Sequence, residues 1–291
     1  MSPSPLALFP PSKDGAFAGH VLVVPAISVG SVPQLTADLL VHHAPLSLRY
    51  VGAFDSTEWC LPYACPPDHV DGVPGSAEQA TIGLPLQLYS NSNARLTVLQ
   101  QRSPVLKSAK HDFVAALTRW ARAAGFTALL ILSSLDAALR VDSEMHIPLV
   151  HLLADTSSSS SSPLLKLLSQ SFPAFQPKPI PATISSSSSS SPPTTLPVLP
   201  SAGATRLLLQ AAASANLPAG TLLIFASEGD NRGDAHAMAT MVLDLLKRAQ
   251  DSADSGAGAG AGRVFEREGA FKEPRSWLTV FGQRMDQAIY G

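Results

Sequence analysis

The sequence predicts an α/β fold: a single domain with a mostly parallel central sheet flanked by helices. Three observations predict it. The stretch His20–Leu40 reads as a buried apolar strand, a polar turn and an amphipathic helix. Two continuous apolar runs, Phe126–Leu132 and Leu222–Ala226, suit strands covered on both faces. The order of elements is βαβ, hairpin, αβ, insertion, βα, which packs as helices over a mostly parallel sheet. No repeat at a fixed period appears.

Residues 1–19, broken by Pro and Gly, read as a flexible leader in which Phe9 and Phe17 could pack. The first strand covers about Val21–Val24, and Pro25 ends it because it offers no N–H to a ladder. A helix follows over Val32–His42, with Ser31 placed as N-cap and Pro33 in the first turn. Leu35, Leu39 and Leu40 recur there at helical spacing. Leu48–Phe54 is the second strand, and 55–83 is irregular. Leu86–Tyr89 and Arg95–Arg102 flank Ser90-Asn91-Ser92-Asn93, so they form a hairpin. The helix Ala109–Ala124 sets Phe113, Leu117, Trp120, Ala121 and Ala124 on one face and stops at Gly125.

His146–Leu153 reads as a further strand. Serine tracts at Ser157–Ser162 and Ser185–Ser191 cannot bury enough apolar surface to offset their conformational entropy. The stretch 155–200 is therefore expected to be a disordered insertion, with a short helix at Leu164–Leu168. After the strand Leu222–Ala226 comes a helix over Asp234–Arg248, with Met238, Met241, Val242, Leu245 and Leu246 as its apolar face. Residues 251–262 are a Gly/Ala linker. The domain is expected to span 20–282, followed by a flexible tail, 283–291.

The chain has 291 residues, 45% hydrophobic and 14% charged, with a net charge of -2. So weak a field favours neither nucleic acid nor an anionic membrane. No apolar run approaches the roughly 18–20 residues of a membrane-spanning helix. No basic stretch precedes an apolar one as in a signal peptide. Cys60 and Cys65 have no second Cys/His pair at ligand spacing, so they read as reduced thiols. The expectation is an intracellular protein without cofactor or metal.

Four motifs could carry chemistry. Ser28–Ser31 stands at a helix start, where backbone N–H groups favour an anion. The turn has one glycine and bulky Val29 and Val32, so a capped helix start is the commoner reading. Ser227-Glu228-Gly229-Asp230-Asn231 follows a strand. Glu228 and Asp230 could act as acid, base or metal ligand there. The same residues suit a tight turn, with Gly229 at positive φ and Asp234 as an N-cap. No G-x-S-x-G elbow marks a nucleophile, and His42-His43 and Asp68-His69 are weak as metal pairs. Ile289-Tyr290-Gly291 could insert into a partner's pocket. The apolar side chain would supply burial, the ring rigid area, and a carboxylate a partner for lysine.

Several blocks run in order from about 20 to 282. They are Val23–Leu35 with Asp38-Leu39-Leu40, Leu99-Gln100-Gln101-Arg102-Ser103-Pro104 before the helix bearing Trp120, and Leu130–Ser134. They continue with Ser227–Asn231 before Asp234-Ala235, and Pro274-Arg275-Ser276-Trp277 before Phe281-Gly282. Together they resemble the proteasome assembly chaperone 2 family. The resemblance implies an α/β fold similar to the nucleoside phosphorylases and a non-catalytic chaperone. Such a chaperone pairs with proteasome assembly chaperone 1 as a heterodimer in the cytoplasm, and in the nucleus as well. The pair binds the outer face of the α-subunit ring of the 20S proteasome, promotes its formation and disfavours off-pathway α-ring dimers. Tails of hydrophobic–Tyr–any type dock between α subunits, which implies a partner-binding role for Ile289, Tyr290 and Gly291. The serine and Gly/Ala inserts depart from the family. The alternative reading is a small-molecule hydrolase or phosphorylase on the same fold.

Overall fold

The opening strand becomes the middle of an eight-stranded sheet. The computed structural model describes residues 6–10, 15–70, 82–154, 162–176, 196–254 and 270–281. In chain order the strands are β1 (Leu8–Phe9), β2 (Val21–Pro25), β3 (Arg49–Phe54), β4 (Leu86–Asn91), β5 (Leu96–Gln101), β6 (Ala128–Asp136), β7 (Leu149–Leu153) and β8 (Ala219–Ala226). Their spatial order is β1-β3-β4-β5-β2-β6-β8-β7. The central four, β5, β2, β6 and β8, are parallel, and Val23 of β2 faces Val98 on one side and Leu130 on the other. Antiparallel strands finish both edges, including the expected β4–β5 hairpin and β7 against β8.

Side chains of the central strands alternate between two cores, as the period of two requires. Val23, Leu130, Leu132 and Leu222 face α1 (Val32–Val41), α3 (Pro163–Ser171) and α5 (Arg232–Asp254). Leu22, Val24, Leu129 and Ile131 face α2 (Lys110–Ala123) and α4 (Thr205–Ser214). The last helix among the described residues is the short α6 (Trp277–Phe281).

The structure corrects five details of the expectation. Within the supposed insertion, α3 buries Leu164, Leu165 and Leu168, and Leu196 and Leu199 are also buried. Burying a leucine contributes roughly 1.5–3 kcal/mol, so these residues belong to the core. The remaining 155–161 and 177–195 lie outside the described residues. The leader contributes β1 and the buried Leu6, Leu8 and Phe17, whereas Phe9 is exposed. Ser31 does stand at the N-cap position of α1, but with left-handed φ of 52° and no side-chain cap. Met241 is on the solvent side of α5. Helix α5 begins at Arg232, so Asn231, rather than Asp234, precedes it, and the Ala235 N–H donates to the Asn231 carbonyl at 2.9 Å.

Candidate functional site

Parallel α/β sheets leave a crevice outside the carboxyl ends of their strands, where ligands commonly bind. Here a cavity of about 830 Å³ opens beside the ends of β2 and β5, lined in part by Ile27, Gln34, Asp38, Tyr63, Arg102 and Trp277. Two of its carboxylates, Asp38 and Asp68, are paired with Arg102. Asp38 stands on the buried side of α1, only 4% exposed. It accepts from Gln100 Nε2, from Arg102 at 3.2 Å and from the indole Nε1 of Trp277 at 3.2 Å. Asp68 accepts from the other arm of Arg102 at 3.4 Å, from its own neighbour His69 N–H at 3.0 Å, and from both the hydroxyl and the N–H of Ser276.

Arg102 thus bridges two carboxylates in a poorly solvated place. Burial opposes its charge, but Asp38 and Asp68 outweigh burial and raise its pKa. An arginine fork suits this task because it can serve two acceptors at once while staying charged. Burial pushes the Tyr63 hydroxyl up to about 12, so it is protonated at neutral pH. The cavity has the position of an active site, but its charged groups are paired internally.

Of the residues singled out in the sequence, Ser31, Asp68 and His69 line this cavity, whereas Ser28 and the residues around Asp230 serve their own turns. Ser28 Oγ donates to the Ala26 carbonyl at 3.0 Å and pairs with Ser134 Oγ at 2.7 Å, closing the turn. Glu228 Oε1 lies 3.5 Å from the Gly30 N–H, so a carboxylate of the chain itself stands where an anion would sit. Asp230 is held by Arg232 at 2.6–3.0 Å and accepts from the Arg232 N–H, and Gly229 has φ of 141°. Turn chemistry therefore accounts for Ser227–Asn231.

His42 is buried, and His43 packs its ring on Phe271 at 4.4 Å. Among the described residues, no group of three or more His, Cys, Asp or Glu side chains could hold a metal ion. Nor is any helix among them long and apolar enough to cross a membrane. Both cysteines are free, and burial pushes the Cys60 thiol up to about 11. Ile289, Tyr290 and Gly291 lie outside the described residues.

Sequence reasoning missed the Asp38–Arg102–Asp68 bridge as a unit, although the Asp38, Arg102 and Trp277 blocks carried the family resemblance. One signal was available: a lone aspartate among Leu35, Leu39 and Leu40 on an apolar helix. Its partners Gln100, Arg102 and Trp277 lie 62, 64 and 239 residues away in sequence, too far for any local pattern.

The model of the family described as PAC2 matches residues 22–252. Proteasome assembly chaperone 2 of Danio rerio is 28% identical over 276 residues, covering 94% of this chain and 96% of that protein. Its human namesake is 27% identical over 289 residues, covering 97% and 100%. Among solved structures, Pyrococcus furiosus PbaA, an archaeal homolog of proteasome-assembly chaperone, matches with TM-score 0.55 and 14% identity. That match covers 87% of this chain and 88% of PbaA. Pyrococcus furiosus PbaB, an archaeal proteasome activator, matches with TM-score 0.52 and 11% identity, over 88% and 96%. At those identities the structural matches establish the fold alone.

Proposed function

The chain belongs to the PAC2 family, and from that membership we propose that it is a non-catalytic chaperone of 20S proteasome assembly. The observation that carries this reading is the match, over nearly the whole of both chains, to relatives named proteasome assembly chaperone 2. In this reading the chain forms a heterodimer with proteasome assembly chaperone 1 in the cytoplasm and nucleus. The pair binds the outer face of the α-subunit ring, promotes ring formation and prevents off-pathway α-ring dimers. Ile289, Tyr290 and Gly291 dock between neighbouring α subunits.

The internal pairing of Asp38, Asp68 and Arg102 supports a binding role over catalysis. A general acid or base must be free to exchange a proton with substrate, and Asp38 already accepts three hydrogen bonds and Asp68 four. The alternative, a small-molecule hydrolase or phosphorylase, keeps one argument, the place of the cavity in the fold, and fold alone is weak warrant for function.

Deleting Ile289-Tyr290-Gly291 is expected to weaken binding to isolated α rings by about tenfold or more, as loss of one of two linked contacts does. Heterodimer formation should be spared, as read by co-purification of the partner chaperone. Unchanged α-ring affinity would remove the tail from the mechanism. Saturable turnover of a small substrate, lost on Glu228→Ala or Asp230→Ala, would overturn the non-catalytic reading.

A further inference from the structure

Residues 270–281 cross the helical face of α1 and α5 without joining the sheet. Their hold on the domain is a series of contacts, most of them made by side chains. Phe271 lies against His43 at 4.4 Å. Glu273 meets Arg232 at 3.6 Å and His236 at 3.2 Å. The Arg275 N–H donates to the His69 carbonyl at 2.9 Å. Ser276 gives its hydroxyl and its N–H to Asp68, and Trp277 gives its indole N–H to Asp38 while its ring is buried. Phe281 ends the series over the Arg232 guanidinium at 5.2 Å.

We propose that the Asp38–Arg102–Asp68 bridge is a fastening site for this segment, which makes Asp68, Ser276 and Trp277 positioning residues for the docking residues that follow Phe281. The inference rests on the tail-docking reading above. Two buried carboxylates held by one arginine each keep acceptor capacity, and the segment uses it: Ser276 takes Asp68 and Trp277 takes Asp38. Hydrogen bonds to ionised acceptors are stronger than neutral ones, and the side chains of Asp38, Asp68 and Arg102 are only 6–16% exposed. Fastening at 276–277 fixes Phe281. An extended chain spans at most about 3.3–3.6 Å per residue, so Tyr290 cannot stray more than about 30 Å from that anchor. A released segment would let the same residues search a far larger volume, which lowers their effective concentration at a ring already held by the heterodimer's other contacts.

The test uses the full chain in its heterodimer. Ser276→Ala and Asp68→Asn should each speed tryptic cleavage at Arg275, an exposed residue, by about tenfold, because cleavage requires local release. Trp277→Phe, which keeps a ring and loses the donor, serves as the mild variant. Affinity for isolated α rings should fall about fivefold or more in the same variants, towards that of the Ile289–Gly291 deletion. In the deleted background the same substitutions should cost nothing further, because they act through the tail; a purely structural role would cost the same in both backgrounds. Unchanged cleavage would overturn the fastening. Faster cleavage with wild-type ring affinity, while the deletion still weakens binding, would overturn the positioning role and leave tail docking standing. A deletion without effect would sink the docking reading itself, and this inference with it.

Discussion

A methyl group on Gly30 would stand 2.6 Å from Asn231 Nδ2 and 2.9 Å from the Ser227 carbonyl oxygen, and the backbone there has φ of 68°. Gly203, at φ of 63°, presses in the same way on the Ile27 carbonyl. These contacts draw the turn after β2 against the loops before α4 and α5. They give a physical account of the blocks around Gly30 and Ser227–Asn231, which lie some 200 residues apart. Asn231 seals the junction by donating to the Ser227 and Gly229 carbonyls at 2.9 and 3.1 Å. Gly30→Ala is expected to destabilise the fold by about 1–2 kcal/mol from the left-handed backbone alone, with more from displacing Asn231. Denaturant unfolding would check it, and an unchanged midpoint would mean that the two loops part at no cost. The glycine itself was legible in the sequence. Its reason was not, because the atoms it makes room for come from the far end of the chain.

At the level of elements, most of the architecture was legible where burial is periodic. Helix α2 carries Phe113, Leu117 and Ala121 inward, and the hairpin β4–β5 pairs Leu86 with Gln101 through Asn91 with Leu96. Composition misled in the serine-rich region. The short helix expected at Leu164–Leu168 is α3, but its low-complexity flanks hid that it is core: its three buried leucines pack on β7, β8 and α5. Leu153, Leu165 and Leu168 all close on Gly220, where an added Cβ would come within 2.8–2.9 Å of each. Leu165→Ala should therefore cost about 2–5 kcal/mol, as for other fully buried leucines. A loss under about 0.5 kcal/mol, the range of surface substitutions, would place α3 outside the cooperative unit.

Across the whole molecule, three histidines link stability to pH. Burial lowers the pKa of His20, with the Arg95 charge adding to it, and burial also lowers His42 and His43 from their ordinary 6.5. For His42 the nearby Asp38 and Asp68 oppose the shift without cancelling it. The unfolded chain, whose histidines titrate near 6.5, takes up these protons first. The stabilisation from neutral histidines is therefore complete above about 6.5 and is lost as pH falls below it. Unfolding midpoints measured from about pH 7 down to about pH 5 should decline steadily, and a flat profile would show that these rings stay solvated. His20 belongs to the sheet, bonded to Thr97 at 3.0 Å and Ser90 at 3.3 Å, whereas His43 supports the C-terminal segment through Phe271. The sequence by itself determined the α/β class, the positions of most helices and strands, and the family, because periodic burial and turn chemistry are local properties. Only the tertiary structure decided that α3 is core, that the crevice beside β2 and β5 is lined with internally paired charge, and that Trp277 is tied to Asp38. Those outcomes depend on contacts between residues as many as 239 positions apart, and no local pattern encodes which buried donor will meet which carboxylate.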